Sequence, residues 1–194
     1  MKKNSELISR LGFSSDNFII GNISRFDEQK NQQLILQAAY FLVRKYPQMR
    51  FVFVGSGKHL EQMRDLARDS KLEEYVVFAG EQENLVDFYS IFDIFVFPSL
   101  WEGMPYVLLE AMASRLPIIC SRLPNLLEVV KSDYSAFTIN PRGMDDLFRK
   151  ISAMYQSKEL REELAQNAMI ESTQYYISET VPKIEHVYNE VLSS

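Results

Sequence analysis

The feature that most constrains this chain is an alternation of short apolar runs with longer amphipathic segments. Apolar runs stand at 18–23, 51–54, 76–79, 94–97, 117–120 and 137–139. Between them, 32–45 places Leu34, Ala38 and Leu42 on one helical face, and 60–70 is a second helical stretch. Runs this short and apolar read as strands covered on both faces, and the helical segments are the crossovers that parallel strands require. The pattern predicts an α/β fold: a doubly wound, Rossmann-like parallel sheet of about six strands. Helical additions follow from 144 onward, with a last amphipathic segment over 181–192.

No repeat, linker or charge block divides the 194 residues, and 46% apolar residues are ample for one core. A formal charge of −5 without a basic cluster excludes nucleic acid as the main partner. The single Cys120 follows Ile118 and Ile119, which makes it a buried small hydrophobe and fits a reducing cytoplasmic location. No apolar run approaches the roughly twenty residues that span a bilayer. Met1-Lys2-Lys3 leads into polar residues rather than a signal-peptide core.

Ligands of doubly wound sheets bind outside the carboxyl ends of the strands, so the loops after Ile23, Val54, Ala79, Phe97 and Cys120 form the candidate site. The first, from Ser24 to Asn31, offers Arg25 as a planar fork for phosphate oxygens and Lys30 as a point charge at a helix start. The alternative fate of both is a surface pair with Asp27 or Glu28. The second loop, Gly55-Ser56-Gly57, permits close backbone approach to a ligand but is not a full dinucleotide fingerprint.

The fourth loop is the most distinctive. PSLWEGMPYVLLEAMA joins a strand that Pro98 stops to a helix over 107–113, and it sets Glu102 and Glu110 apart by seven residues. Gly103 and Pro105 fall where the chain must turn, and Pro105 suits the first helical position. Free N–H groups at such a turn bind oxygen-rich or anionic ligands. Glu110, a turn into the helix, suits a pair of hydroxyls such as a ribose diol better than a phosphate. Taken singly, each glutamate also reads as a charge near the helix dipole or on a solvated face. There is no Walker-type motif and no DxD pair, and His59 and His186 stand far apart without Cys or carboxylate ligands at metal-binding spacing, so no metal is expected.

Three blocks together resemble the C-terminal, donor-binding domain of the GT-B-fold retaining glycosyltransferases of group 1, or family 4. They are GNISRFDEQKN, FVFVGSG, and VVFAGEQENLVDFYSIFDIFVFPSLWEGMPYVLLEAMA. The resemblance implies that Arg25 and Lys30 hold the diphosphate of a nucleotide-diphosphate sugar and stabilise the leaving group. It also implies that Glu110 binds the ribose and that Glu102 lies beside the donor sugar. Gly103, Met104, Pro105 and Tyr106 then form the turn whose backbone amides reach sugar and diphosphate. The loop 80–84, with Gln82, lies beside the base, and Gly55 belongs to the glycine loop. The family needs no cofactor or bound metal. Departures fall at Arg115 and Ala136, where glycine is usual, and at Ser121 to Asn125.

The resemblance divides the chain into a lead-in over 1–17, a nucleotide-sugar-binding domain over 18–174, and a C-terminal helix over 175–194. That helix, with Ile184, Val187, Tyr188 and Val191, would pack on an N-terminal acceptor-binding domain carried by the same full-length protein or by a separate subunit. The expectation is an excised domain or split subunit, inactive alone, serving polysaccharide or glycoconjugate biosynthesis, with membrane contact only through the other domain. The alternatives are a non-catalytic nucleotide-sugar-binding module and a GT-B sugar-nucleotide epimerase.

Overall fold

The computed structural model describes residues 3–192; Met1, Lys2, Ser193 and Ser194 lie outside it. Six strands, β1 (Phe18–Ile23), β2 (Met49–Val54), β3 (Val76–Gly80), β4 (Ile94–Phe97), β5 (Ile118–Ser121) and β6 (Phe137–Ile139), form one parallel sheet in the order β3-β2-β1-β4-β5-β6. The winding reverses between β1 and β4. At that point the chain leaves the two strands for helices on opposite faces of the sheet, and the loops between border a crevice at the sheet's carboxyl edge.

Side chains alternate between two apolar layers, as the strand period of two demands. Ile20, Phe51, Phe53, Ile94, Val96 and Ile119 point to one layer, covered by α2 (Gln32–Lys45), α3 (Leu60–Asp69) and α7 (Met144–Gln156). Ile19, Ile23, Val52, Val54, Phe95, Phe97 and Cys120 point to the other, covered by α1 (Ser5–Arg10), α4 (Leu85–Ile91), α5 (Tyr106–Ala113) and α6 (Pro124–Leu127). Coverage on both faces explains why the strands carry no polar alternation. Gly21 has a local reason as well: a Cβ there would stand 2.2 Å from the Phe92 ring.

The sheet and its crossovers follow the sequence reading, with ends shifted by a residue or two. Several elements depart from it. The N-terminal lead-in contains α1, which buries Leu7 and Ile8 against α4 and is capped by Asn4. One and a half helical turns are too short to show a period, so tertiary packing decides this helix. The helical region after 144 breaks at Ser157, whose hydroxyl accepts from the Leu160 amide and starts α8 (Lys158–Ser172). The last helix, α9 (Ile177–Leu192), begins four residues before the expected start at 181 and leaves Ile184, Tyr188 and Val191 exposed. The side chain of Val187 lies outside the described residues.

Pro105 is not the first helical residue. It stands just before α5 with an extended backbone (φ −84°, ψ 101°), and its carbonyl accepts from the Leu108 amide. Arg115 occupies the left-handed region after α5 (φ +56°), which accounts for glycine being usual there. Ala136 is fully buried and has no positive φ; Asp133 takes the left-handed position of that turn (φ +59°) instead. Among the described residues no helix is long and apolar enough to cross a membrane.

Candidate functional site

The loops after β1 and β4 meet at the point where the winding reverses, and polar side chains lock them together. Asn31 donates to the carbonyls of Pro98 (3.0 Å) and Pro141 (2.8 Å). Gln29 donates to the Trp101 carbonyl (2.8 Å), and the Leu100 amide returns a bond to the Gln29 carbonyl. The buried Gln32 amide ties Ser24 Oγ and the Arg25 carbonyl to the start of α2. The first loop is therefore a fixed platform rather than a free surface segment.

The glycine loop is joined to this platform by backbone alone. Phe26 N–H donates to the Ser56 carbonyl (2.8 Å), and His59 N–H to the Phe26 carbonyl (3.1 Å). A Cβ on Gly55 (φ +131°) would lie 2.2 Å from the Ser24 carbonyl oxygen, so only glycine allows this approach.

A cleft of about 370 Å³ opens where the loops converge, and Arg25, Lys30, Gly55, Gln82 and Glu110 all line it. Sequence reasoning placed these five in one site from separate segments, and the structure brings them together. The floor is apolar, made by Ile23, Val54, Leu85 and Val107. Glu81, which accepts from Ser56 Oγ (3.0 Å), also lines the cleft and was not singled out from sequence. Its only sequence signal was its place in the loop 80–84.

The cations behave differently from each other. Arg25 is mostly exposed, with Nε 2.6 Å from Asp27, so its terminal nitrogens remain open to a ligand. Exposed pairs of this kind contribute little, and a phosphate can displace this one. Lys30 does not pair with Glu28. Its Nζ lies 2.5 Å from Glu102 Oε1 and 5.1 Å from the centre of the Phe97 ring, with both side chains largely buried.

Glu102 thus stands behind the cleft, reached through Lys30, and does not line it. Asn125 at the start of α6 donates to the Glu102 carbonyl and fixes the turn from the other side. Gly103, Met104 and Tyr106 are exposed on that turn and Pro105 is buried under it.

Glu110 projects from α5 and accepts a hydrogen bond from Tyr89 Oη (2.7 Å). Burial and the neighbouring carboxylate push the Tyr89 phenol well above its ordinary pKa, so it remains a donor. Burial also pushes the Cys120 thiol up to about 12, which leaves it an inert core residue. Among the described residues no group of three His, Cys, Asp or Glu side chains is placed to hold a metal.

Fold and cleft define a doubly wound α/β domain with a cationic and carboxylate-bearing cleft at its switch point. Residues 3–170 match the model of the family "Glycosyl transferases group 1", and the chain belongs to that family. A putative glycosyltransferase, EpsF, of Bacillus subtilis is 39% identical over 110 residues, covering 57% of this chain and 29% of that protein. An Escherichia coli UDP-Gal:alpha-D-GlcNAc-diphosphoundecaprenol alpha-1,3-galactosyltransferase is 26% identical over 187 residues, covering 94% and 48%. The chain spans about half or less of the length of these relatives.

Among solved structures, the C-terminal domain of a group 1 glycosyl transferase from Francisella tularensis superposes with a TM-score of 0.75 at 25% identity. It covers 82% of this chain and 87% of that one. Anabaena Alr3699/HepE in complex with UDP and glucose shares the fold, with a TM-score of 0.85 at 23% identity over 98% of this chain and 51% of that one. The resemblance read from the three sequence blocks to a GT-B C-terminal domain therefore stands.

Proposed function

We propose that this chain is the donor-binding half of a glycosyltransferase that transfers a sugar from a nucleotide-diphosphate sugar to an acceptor with retention, without a metal. The observation that carries the reading is the single cleft that gathers Arg25, Lys30, Gly55, Gln82 and Glu110 at the switch point. The diphosphate lies against Arg25 and Lys30, whose charge stabilises it as it departs. Glu110 accepts from the ribose hydroxyls, and the loop 80–84, with Gln82, flanks the base. The amides of Gly103, Met104 and Tyr106 reach the sugar, and Glu102 orients it from behind the cleft, through Lys30. Lys30 already has Glu102 as a partner, so the incoming diphosphate joins an existing ion pair and links the two carboxylate positions of the site.

The domain over 18–174 carries this chemistry. The acceptor side comes from an N-terminal GT-B domain, against which the exposed face of α9, within 175–194, would pack, and 1–17 joins the two. The chain acts in the cytoplasm in polysaccharide or glycoconjugate assembly and does not transfer sugar alone. The UDP and glucose bound by the Anabaena protein support a nucleotide-sugar donor.

The test is calorimetric titration of the chain with UDP-, GDP- and ADP-sugars in EDTA. Saturable binding of one of them is expected, and Arg25→Ala should weaken it about tenfold or more, the effect of losing a charge-assisted bond. Binding that requires a divalent cation, or that Arg25→Ala leaves unchanged, overturns the assignment.

A further inference from the structure

A buried phenol stands behind the carboxylate assigned to the ribose, on the helix that also supplies Leu85 to the cleft floor. Tyr89 belongs to this helix, α4, and its side chain is sealed in the core at 3% exposure. Its ring packs edge-on against Phe92 and Phe95. A phenylalanine would fill that place equally well, so the hydroxyl needs its own explanation. A buried hydroxyl must find a partner. The Val107 carbonyl is 3.5 Å away, at the limit of a hydrogen bond, whereas Glu110 Oε2 is 2.7 Å away.

Glu110 is itself an exposed residue of α5, and an exposed glutamate samples many rotamers. Here one carboxylate oxygen is held from beneath by a donor anchored in the core. Glu110 lines the cleft, and its Oε1 atom and the remaining lone pair of Oε2 are left by this bond as two acceptors for a pair of vicinal hydroxyls.

We infer that Tyr89 is a positioning residue that locks Glu110 in its diol-accepting rotamer before the nucleotide arrives, so that ribose selectivity depends on a hydroxyl that never touches the ligand. The inference rests on the assignment of Glu110 to the ribose. The rotamer entropy that Tyr89 removes in advance is worth about tenfold in affinity. It affects only ligands whose hydroxyls use the carboxylate.

The experiment measures dissociation constants of UDP, GDP and ADP and their 2′-deoxy and 3′-deoxy forms. Wild type, Tyr89→Phe, Glu110→Gln and the double variant are titrated by calorimetry, with circular dichroism to verify folding. In wild type, removing a ribose hydroxyl should weaken the tightest of the three diphosphates about tenfold. In Tyr89→Phe the ribose form should weaken about five- to tenfold and the deoxy forms little, so that the ratio falls to about one to two. In the Glu110→Gln background Tyr89→Phe should add nothing.

An unchanged ratio in Tyr89→Phe, whether both forms weaken equally or neither does, overturns the positioning role and leaves Tyr89 a structural residue. If no diphosphate binds, or wild type ignores the ribose hydroxyls, the assignment of Glu110 itself fails and the inference falls with it.

Discussion

Replacing Glu102 with glutamine removes one charge from a largely buried pair and leaves its partner in place. At 2.5 Å and an effective dielectric near 20, the gross Coulomb attraction between Lys30 and Glu102 is about 7 kcal/mol. Most of that offsets the desolvation of the two groups, and breaking a fully buried pair from one side costs about 3–5 kcal/mol. Two features lower the figure here. The Lys30 side chain keeps 16% of its exposure, so water reaches part of the ammonium, and glutamine retains an oxygen that accepts from it. The expected loss is about 2 kcal/mol, within the range for groups left with an imperfect partner.

The assay is urea unfolding followed by far-ultraviolet circular dichroism at low and high salt. With a slope of about 2–3 kcal/mol/M for a domain of this size, the midpoint should fall by roughly 0.7–1 M. The shift should persist in high salt, because buried pairs are poorly screened. A double-variant cycle with Lys30→Met should return a coupling of about 1–3 kcal/mol. A midpoint within about 0.2 M of wild type, or additive single effects, would refute the claim that Glu102 acts through Lys30. The contact would then count as an ordinary surface pair.

Two further outcomes follow from particular residues. Arg115→Gly should stabilise the chain by about 0.5–1 kcal/mol in the same unfolding assay, since it relieves a left-handed backbone at φ +56° without touching the sheet; a loss of stability would show that the Arg115 side chain contributes more than its backbone costs. Cys120 holds its proton to about pH 12 in the folded state against about 9 when exposed, so the folded form binds the extra proton between those values. Its contribution to stability is complete below about pH 9 and is lost as pH rises toward 12. Thiol titration with a disulfide reagent at pH 8 should find no reaction until the chain is unfolded, and rapid labelling of the native protein would contradict its burial.

Much of this molecule is legible in the chain alone, because both faces of the sheet are covered. Complete coverage makes each strand an uninterrupted apolar run, and parallel pairing makes a helix between runs obligatory. The strands, their carboxyl-end loops, and the placement of Arg25, Lys30, Gly55, Gln82 and Glu110 on that edge follow from these facts. Gly21 carries no signal of its own in the sequence and Gly55 only that of a loop open to close approach; the Phe92 ring and the Ser24 carbonyl that exclude a side chain appear only when distant segments are packed.

The pairing within the site was likewise a tertiary decision. Local spacing favoured Asp27 and Glu28 as partners for the two cations, and it succeeded for Arg25. For Lys30 it failed, because the reversal of winding brings the loop after β4 against the loop after β1 and delivers Glu102 from 72 residues away. The same reversal hides Glu102 behind the cleft. In the same way, packing of α4 beside α5 sets a buried phenol beneath Glu110. Sequence determines which residues reach the sheet edge, since that depends on periods of two and 3.6 along one chain. Which of them touch depends on the order of strands in the sheet, and no local period encodes that order.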